Sequence, residues 1–430
     1  MPVDIRDIED LVQRQEQWRG RETINLIASE NAQSRAVRDV QNSDFMARYA
    51  EGHPNEEGRL NRYYQGTRFI DEIERKARRE IMELFRCRQA DVRPISGNAA
   101  NTAIALGWLR GGDSVIVNST DAGGHISHNL VGVFGRRIQI RGQTLTAGRD
   151  NSVRLHFFPP AADKYHMDGK AAIEMIDRIR PQLVVLGKSL FLFPEPLAEI
   201  APVCREWNIP ILFDGAHVLG LIAGGEFQDP LREGATYLTG STHKTFPGPQ
   251  RGVILANLDG AEAETYWGPA DRGVFPGSSS NHHLHSLAGL LVATREMKAH
   301  GRAYVAQVVR NAQALGRALF DQGIPVEAND SGFTRSHQIA VDVASFGGGV
   351  EVAGRLESQD IIVNYNMLPG DRDPRNPSGL RIGVQEMTRY GMTPIEMGDL
   401  AMLIADALRG KPVKGAVNRL RGRFAEMRYL

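Results

Sequence analysis

The sequence predicts an α/β protein whose main sheet is mostly parallel, and two observations lead to this prediction. Short apolar runs recur between amphipathic segments, and these runs are apolar at successive positions instead of alternating with polar residues. Strands of that kind are buried on both faces, as in a parallel sheet that helices cover. The length agrees, because 430 residues suffice for two or three domains of roughly 100–200 residues each.

The individual elements follow from composition and periodicity. Apolar, β-branched runs predict strands over residues 114–117, 183–186, 209–213 and 252–256, and a second αβ unit adds strands over 338–343 and 361–363. Helical spacing of apolar residues predicts helices over 67–88, 286–322 and 394–408. We expect three regions: an N-terminal arm over 1–45, a large domain over 46–292 and a small domain over 293–430.

Composition excludes several classes of function. The 51 basic residues balance the 51 acidic ones, so net charge favours neither nucleic acid nor a membrane surface as a partner. The two cysteines, Cys87 and Cys204, exclude a disulfide framework and any site built from several thiolates. The charged beginning and the shortness of all apolar runs indicate neither secretion nor membrane insertion, so we expect a cytoplasmic protein.

The most informative segment is the predicted strand that ends in Asp214 and leads to His217. About thirty residues later, a hydroxyl-rich segment from Ser241 contains Lys244. Pyridoxal phosphate needs a lysine for its Schiff base, a carboxylate for its pyridine nitrogen and hydroxyls or amides for its phosphate. The pair of motifs therefore suggests this cofactor, although a helix-capping aspartate and a solvated lysine would give the same residues.

Two upstream segments suit the same cofactor. Ser96, Gly97 and Asn98 lead from a loop into a helical run, where free amides and the helix dipole can bind phosphate. Ser96 could instead be a plain N-cap, which is the commoner case for a single Ser-Gly pair. His125 follows two glycines and could stack on a planar heterocycle, although a single histidine is more often structural.

Two further groups were considered as sites. His282, His283 and His285 invite a zinc interpretation, but adjacent histidines point apart and no carboxylate stands at metal spacing, so we expect no metal. The segments over 48–54 and 61–66 together contain three tyrosines and a glutamate, a composition that suits an aromatic cofactor, a reacting hydroxyl group or a subunit interface.

Taken together, these residues resemble the serine hydroxymethyltransferase family over about residues 26–403. Seven motifs agree in order and spacing: LIASEN at 26–31, YAEG at 49–52, RYY at 62–64, GGH at 123–125, DGAH at 214–217, THKT at 242–245 and SGLR at 378–381. The segments at 64–66, 189–194 and 280–285 look most like the branch common in archaea.

The resemblance implies a fold-type I, pyridoxal phosphate-dependent transferase with a seven-stranded sheet, an arm that crosses to a partner and a small domain that carries Arg381. It implies interconversion of serine and glycine, with tetrahydrofolate or a modified tetrahydropterin as the one-carbon carrier. It also implies a homodimer with shared active sites, with a tetramer as an open alternative.

The resemblance also implies a role for each matching residue. Lys244 would form the Schiff base, Asp214 would hold the pyridine nitrogen, His125 would stack on the ring, and His217 would bond the phenolic oxygen. The phosphate and neighbouring cofactor contacts would come from Ser96, Gly97, Asn98, Ser241, His243 and the partner subunit's Tyr49. The substrate carboxylate would meet Ser29, Tyr64 and Arg381, and the pterin would meet Glu51 as proton shuttle, Tyr63, Ile126 and Asn366.

Departures from the family leave alternatives open. The phosphate turn reads Ser-Gly-Asn-Ala at 96–99, the glycine-rich loop at 275–282 is substituted, and the loop over 54–62 is longer than in the bacterial form. An α-methylserine hydroxymethyltransferase with alanine as acceptor would use the same residues. A threonine-type aldolase or transaldolase would need no pterin, and a catalytically silent dimeric binding protein would need no Lys244, Asp214 or Arg381.

Overall fold

The computed structural model describes residues 3–57, 61–130, 132–135 and 153–430. The chain forms two compact units: a first unit over Asn31–Val305, and a second unit made of the residues up to Glu30 together with Ala306–Leu430. The three-part division at residues 45 and 292 stays a prediction. Within the described residues, no helix is both long and apolar enough to span a membrane.

Twelve strands lie in the described ranges. In chain order they are β1 Ile24–Asn25, β2 Gln89–Asp91, β3 Ser114–Val117, β4 Arg154–Phe157, β5 Leu183–Leu186, β6 Ile211–Asp214, β7 Tyr237–Ser241, β8 Gly252–Ala256, β9 Gln338–Asp342, β10 Ile361–Ile362, β11 Asn364–Asn366 and β12 Gly379–Gly383.

The α-helices in the same ranges vary from single turns to one very long helix. They are α1 Arg6–Gln17, α2 Arg35–Gln41, α3 Arg68–Phe85, α4 Gly97–Trp108, α5 Gly169–Ile179, α6 Leu197–Glu206, α7 Leu219–Gly224, α8 Pro230–Glu233, α9 Gly260–Glu262, α10 Gly268–Arg272, α11 Leu284–Asp321, α12 Gly349–Ser358, α13 Gln385–Arg389, α14 Pro394–Leu408 and α15 Lys414–Gly422.

The first unit contains a seven-stranded sheet in the order β2-β8-β7-β6-β5-β3-β4. Strands β7, β6, β5, β3 and β4 pair in parallel, whereas β8 runs antiparallel to both β7 and β2. Every residue of β3, β5, β6, β7 and β8 is buried, because helices cover both faces. The predicted α/β class with a mostly parallel seven-stranded sheet is confirmed.

Several predicted elements shift at their ends for local reasons. The strand predicted over 209–213 begins at Ile211, since Pro210 has no amide hydrogen for the ladder, and it ends at Asp214. The helix predicted over 67–88 ends at Phe85, because Arg86 adopts a left-handed conformation with φ of 52°. The helix predicted over 286–322 is α11, which begins in the first unit and ends in the second.

The second unit contains two small sheets. Strand β12 lies between β11 and β9 and is antiparallel to both, and β1 pairs in parallel with β10. Helix α14 begins with a capping box, in which Thr393 and Glu396 satisfy each other's backbone amides. Strands β7 and β12 were not predicted, since glycine, serine and arginine interrupt their apolar residues although all ten positions are buried.

Candidate active site

The chemistry-bearing residues of the first unit collect at the carboxyl edge of its sheet. Asp214 is the last residue of β6 and Ser241 the last of the neighbouring strand β7, and the two strands run parallel with Asp214 opposite Thr239. Ligands of open α/β sheets bind at this edge. The segment that follows Ser241 therefore starts beside Asp214 and carries Lys244.

Three donors hold the Asp214 carboxylate. Its Oδ2 accepts hydrogen bonds from Asn101 Nδ2 at 2.7 Å and His128 Nε2 at 2.9 Å, and its Oδ1 accepts one from the Ala216 amide at 3.0 Å. The Asn101 side chain is itself oriented, because its Oδ1 accepts from the Thr239 hydroxyl at 2.6 Å. We call Asn101, His128 and the Ala216 amide the aspartate clamp.

The clamp decides the ionisation of Asp214, which is only 6% exposed. Burial alone would raise the pKa of this carboxyl group. Three influences outweigh burial: the hydrogen bond from His128, the charges of His128 and His125 when protonated, and the hydrogen bond from the Ala216 amide. Together they lower the pKa of Asp214 well below its usual range. The sheet edge therefore presents a buried anion at neutral pH.

The turn after Gly124 directs the side chains of His125 and His128 to different partners. His125 Nδ1 accepts from the Ser127 amide at 3.1 Å and lies 2.8 Å from the Ser127 hydroxyl, so the ring proton is on Nε2. Gly124 is required here because a Cβ would lie 2.2 Å from the carbonyl oxygen of Asn118. In its neutral form, His125 thus offers Nε2–H as a hydrogen-bond donor.

The phosphate motif predicted at Ser96 lies where helix α4 begins. The Ser96 hydroxyl accepts from the Ala99 amide at 3.0 Å, so this serine is an N-cap as well as a candidate ligand. A Cβ on Gly97 would lie 2.4 Å from Ser241 Oγ, which shows how closely the start of α4 approaches the end of β7. The donor set here consists of free amides, two hydroxyls and a glycine that lets the backbone come close. Such a set suits a phosphate group.

The segment around Lys244 is fixed from several sides. The Lys244 carbonyl accepts from Asn31 Nδ2 at 2.6 Å, and the Thr245 hydroxyl donates to the His217 carbonyl at 2.8 Å. Lys244 and His217 are both buried. Burial and the charge of Lys244 lower the pKa of His243 to about 4, so that histidine is neutral beside the lysine.

The tyrosine-rich loop brings together three predicted residues. The rings of Tyr49 and Tyr64 have centroids 4.8 Å apart, and the Tyr64 hydroxyl donates to Glu51 Oε2 at 3.2 Å. Partial burial and the charge of Glu51 raise the pKa of Tyr64, so its hydroxyl stays protonated. Residues 58–60 of the lengthened loop over 54–62 lie outside the described residues.

Buried ion pairs anchor this loop. The fully buried Arg62 guanidinium pairs with Asp71 at 2.9 Å and with Glu74, and its Nε donates to the His53 carbonyl at 2.9 Å. His282 Nε2 lies 3.3 Å from Glu74. In the ranges that the structure describes, no three histidine, cysteine or acidic side chains converge as metal ligands, and His282 belongs to this ion network.

The second unit carries the other predicted residues. Arg381 lies at the centre of β12, is buried, and donates from Nε and Nη2 to Asn364 Oδ1 at 3.3 and 3.2 Å. Burial lowers the pKa of Arg381 to about 10, which leaves it a cation at neutral pH. Ser29 lies in a turn after β1, and Asn366 ends β11 opposite Gly379.

Sequence reasoning missed two members of the site, Asn101 and His128. Asn101 lies one helical turn after Gly97, and His128 lies three residues after His125, so each follows a recognised residue at helical or turn spacing. That spacing was the available signal. It was insufficient because the partner of both side chains, Asp214, is distant in the sequence.

The chain is similar over nearly its whole length to proteins of known function. The family model described as serine hydroxymethyltransferase matches residues 3–404. Serine hydroxymethyltransferase of Pyrobaculum islandicum is 44% identical over 432 residues, covering 100% of this chain and 95% of the relative. The enzyme of the same name from Pyrococcus abyssi is 46% identical over 407 residues, covering 93% and 90%.

A solved structure extends the similarity to three dimensions. The crystal structure of L-threonine transaldolase from Pseudomonas fluorescens matches with a TM-score of 0.86 and 27% sequence identity, covering 99% of this chain and 93% of that chain. The matched family model spans nearly the whole chain, and the curated relatives match at more than 40% identity. The chain therefore belongs to the serine hydroxymethyltransferase family.

Proposed function

We propose that the chain is a serine hydroxymethyltransferase, which moves a hydroxymethyl carbon between serine and a tetrahydropterin carrier and interconverts serine with glycine. The observation that carries the proposal is the buried, ionised Asp214 at the same sheet edge as Lys244. Family membership supplies the reaction class, and the curated relatives of this name are 43–46% identical to the chain.

Pyridoxal 5′-phosphate is the cofactor of this family, and the residues at the sheet edge fit it. When bound, it supplies an electron sink for bonds at the substrate's α-carbon. Lys244 is the amine for covalent attachment, and Asp214 stabilises the positive charge of the pyridine nitrogen. His125 stacks on the ring and His217 bonds the phenolic oxygen.

The phosphate is held at the start of α4 and the end of β7. The close approach of Gly97 to Ser241 supports this assignment, because it leaves backbone amides and hydroxyls side by side. The proposed set is Ser96, Gly97, Asn98, Ser241, His243 and the partner subunit's Tyr49.

The amino acid binds through its carboxylate and reacts next to a carboxylate of the protein. Arg381 is the cation for the substrate carboxylate, since a guanidinium can bind it with two parallel hydrogen bonds, and Ser29 and Tyr64 complete the contacts. Glu51 takes and returns the proton at the substrate's hydroxymethyl oxygen. The hydrogen bond from Tyr64 to Glu51 supports that role, because it orients the Glu51 side chain through Oε2.

The one-carbon carrier is a tetrahydropterin, and Tyr63, Ile126 and Asn366 line its pocket together with Glu51. The side chains of Tyr63 and Ile126 are 89% and 63% exposed in the single chain, so they are accessible to a planar ligand or a second subunit. Because the loop over 275–282 departs from the family, we propose testing tetrahydrofolate beside a modified tetrahydropterin.

We also propose a homodimer in which each active site uses both chains, with further pairing of dimers as an open alternative. The exposed aromatic side chains of the loop over 49–66 support it, since single-chain exposure of such rings is unfavourable in water. Inactive Lys244→Ala and Tyr49→Ala chains, refolded together, should regain part of the activity in heterodimers. Heterodimers that form but stay inactive would contradict shared sites.

The rival activities receive less support. An α-methylserine enzyme needs room for one more methyl group, a discrimination worth about 1–3 kcal/mol. An aldolase or transaldolase needs no pterin, and the matched transaldolase structure is 27% identical, compared with 44% for the Pyrobaculum islandicum relative. Neither rival is favoured by a specific observation.

The deciding experiment is amino-acid cleavage by the holoenzyme with and without tetrahydropterins. Serine cleavage should accelerate strongly with the carrier, and Glu51→Gln should lose about 10²- to 10⁴-fold of that rate while keeping the cofactor, since glutamine cannot take the proton. If carriers leave serine and α-methylserine rates unchanged, while threonine is cleaved rapidly alone, the chain is an aldolase and the proposal is wrong.

A further inference from the structure

One turn in the second unit carries Ser29. The turn spans Ile27 to Glu30 and is closed by a hydrogen bond from the Glu30 amide to the Ile27 carbonyl at 3.2 Å. Such a turn keeps its shape only while its remaining carbonyls find donors. The position of the Ser29 hydroxyl therefore depends on the groups that bind these carbonyls.

Strand β12 and the residue before its neighbour β9 bind the backbone at and just before this turn. The Gly383 amide, two residues after Arg381, donates to the Leu26 carbonyl at 2.8 Å, immediately before the turn. His337 Nε2 lies 3.1 Å from the Ala28 carbonyl. The segment that carries Arg381 thus also touches the backbone that leads to Ser29.

Gln385 binds both ends of the turn at once. Its Nε2 donates to the Ile27 carbonyl at 2.8 Å and to the Glu30 carbonyl at 2.7 Å, and the side chain is fully buried. The orientation of the amide is unambiguous here, because both partners are acceptors and only the NH₂ group can face them.

We propose that Gln385 is a positioning residue that fixes the Ser29 turn in register with Arg381, so that both groups meet the substrate carboxylate together. This inference rests on the proposed function, which assigns the carboxylate to Ser29 and Arg381. Gln385 lies only four positions after Arg381 along the chain, so the guanidinium and the amide that holds the turn move together.

The physical reason is the cost of unpaired carbonyls. Removal of the amide takes this donor from the Glu30 carbonyl and leaves the Ile27 carbonyl with the longer, 3.2 Å bond from the Glu30 amide. A buried acceptor that loses its partner is unfavourable, so the turn relaxes toward other donors. A displacement of about 1 Å at a positioning group can reduce an enzyme's efficiency by about 10²-fold. Because the reacting bond is elsewhere in the substrate, amino-acid affinity should fall more than turnover.

The test uses substitutions that remove the donors with little change of volume. Gln385→Met and Gln385→Glu keep the side-chain length and lose both donors. The matched control is Asn311→Ala, since Asn311 is also fully buried and donates twice from its Nδ2, to Thr388 Oγ1 and the Met392 carbonyl, each at 2.8 Å. Its partners do not include the Ser29 turn.

The readouts are the Kd for glycine from spectral titration of the holoenzyme, and KM and kcat for serine. We expect both Gln385 variants to raise the Kd and KM at least about tenfold and to change kcat less than about threefold, on the scale of one or two lost buried hydrogen bonds. Asn311→Ala should lower the unfolding temperature similarly but leave the Kd near wild type. Equal Kd values for Gln385 variants and wild type, or an equal rise in Asn311→Ala, would overturn the inference.

Arg381→Lys separates this inference from the proposed function. If Arg381→Lys weakens glycine binding but the Gln385 variants do not, the positioning role is wrong and the proposed function stands. If Arg381→Lys leaves glycine binding unchanged, the carboxylate assignment itself is wrong, and the positioning role is overturned with it.

Discussion

Two buried carboxyl groups, one in each unit, have pKa values that are shifted in opposite directions. Asp214 and Glu386 are 6% and 8% exposed, so burial opposes the charged form of both. Three donors hold Asp214, and its pKa is lowered. Glu386 accepts a side-chain hydrogen bond from Asn25 at 2.8 Å, and its pKa is raised to about 7.

The neighbouring charges explain the rest of the difference. At Glu386, burial is the largest influence and raises the pKa. The charge of Glu30 also raises it, whereas the hydrogen bond from Asn25 and the charges of Arg19 and Arg421 lower it. At Asp214 the two nearby histidines and an amide all favour the anion. A buried carboxyl group is therefore a permanent anion only where the chain supplies several donors, as it does for Asp214 at the carboxyl edge of the seven-stranded sheet.

The largest expected effect is at the anion itself. Asp214→Asn keeps the size of the side chain but loses the charge that we propose stabilises the protonated pyridine nitrogen. We expect serine cleavage to fall by on the order of 10²- to 10³-fold, as when a preorganised electrostatic group is lost. Steady-state cleavage assays with matched cofactor content measure this rate. A variant that keeps more than half of the wild-type rate would contradict the contrast between Asp214 and Glu386.

A smaller effect is expected in the clamp. Asn101→Ala removes the donor at 2.7 Å from Asp214 Oδ2 and should move the pKa of Asp214 upward, toward that of an ordinary carboxyl group. A carboxylate with a depressed pKa is active above that pKa and loses its charge as pH falls, so the variant should lose activity at a higher pH on the acid side. The acid limb of the kcat/KM profile measures the shift.

Thr239→Val is the matched control for the clamp. It removes the hydroxyl that orients the Asn101 side chain and leaves Asn101 itself in place. We expect a shift in the same direction but smaller than that of Asn101→Ala. Identical acid limbs in wild type and Asn101→Ala would show that the clamp does not hold the charge of Asp214.

The smallest effect on activity is expected at Glu386, where the readout is stability. Since its pKa is raised from 4.5 to about 7, its contribution is fully present below pH 4.5 and is lost as pH rises through about 7. From pH 5 to 8 this one group should cost wild type about 2–3 kcal/mol of unfolding free energy. Glu386→Gln should lack that loss in denaturant unfolding at a series of pH values.

Glu396 supplies the opposite control in the same unit. Burial opposes its ionisation, but hydrogen bonds from Thr393 lower its pKa, so its stabilising contribution is lost as pH falls. If Glu386→Gln and wild type lose stability in parallel as pH rises, Glu386 is ionised at neutral pH and the contrast with Asp214 fails.

The same contrast shows what could be predicted from the sequence. Asp214 is visible because the strand before it is a continuous apolar run, and Lys244 is visible because it lies in a hydroxyl-rich segment that follows at short range. The orienting residues are not visible, since their partners are far along the chain: Asn101 is 113 residues from Asp214, and Gln385 is 358 from Ile27. The local sequence pattern reveals the chemistry-bearing residues, whereas only the folded chain brings the orienting residues to their partners.

Element prediction has the same limit. Strands β3, β5 and β8 were predicted at their observed bounds, because each is an uninterrupted apolar run. Strand β12 was missed, because Arg381 interrupts its apolar pattern. The residue that hides the strand from prediction is the one proposed to bind substrate.

The most direct test of the account is the position of the cofactor on the chain. The holoenzyme should be reduced with borohydride, digested and mapped, with Lys188→Gln as a matched control, since Lys188 is also buried but pairs with Glu195 at 3.0 Å. We predict the label on Lys244 alone in wild type and in Lys188→Gln, and no covalent label in Lys244→Arg, because a guanidinium is too weak a nucleophile. A label on any other lysine of the wild-type chain would contradict the account.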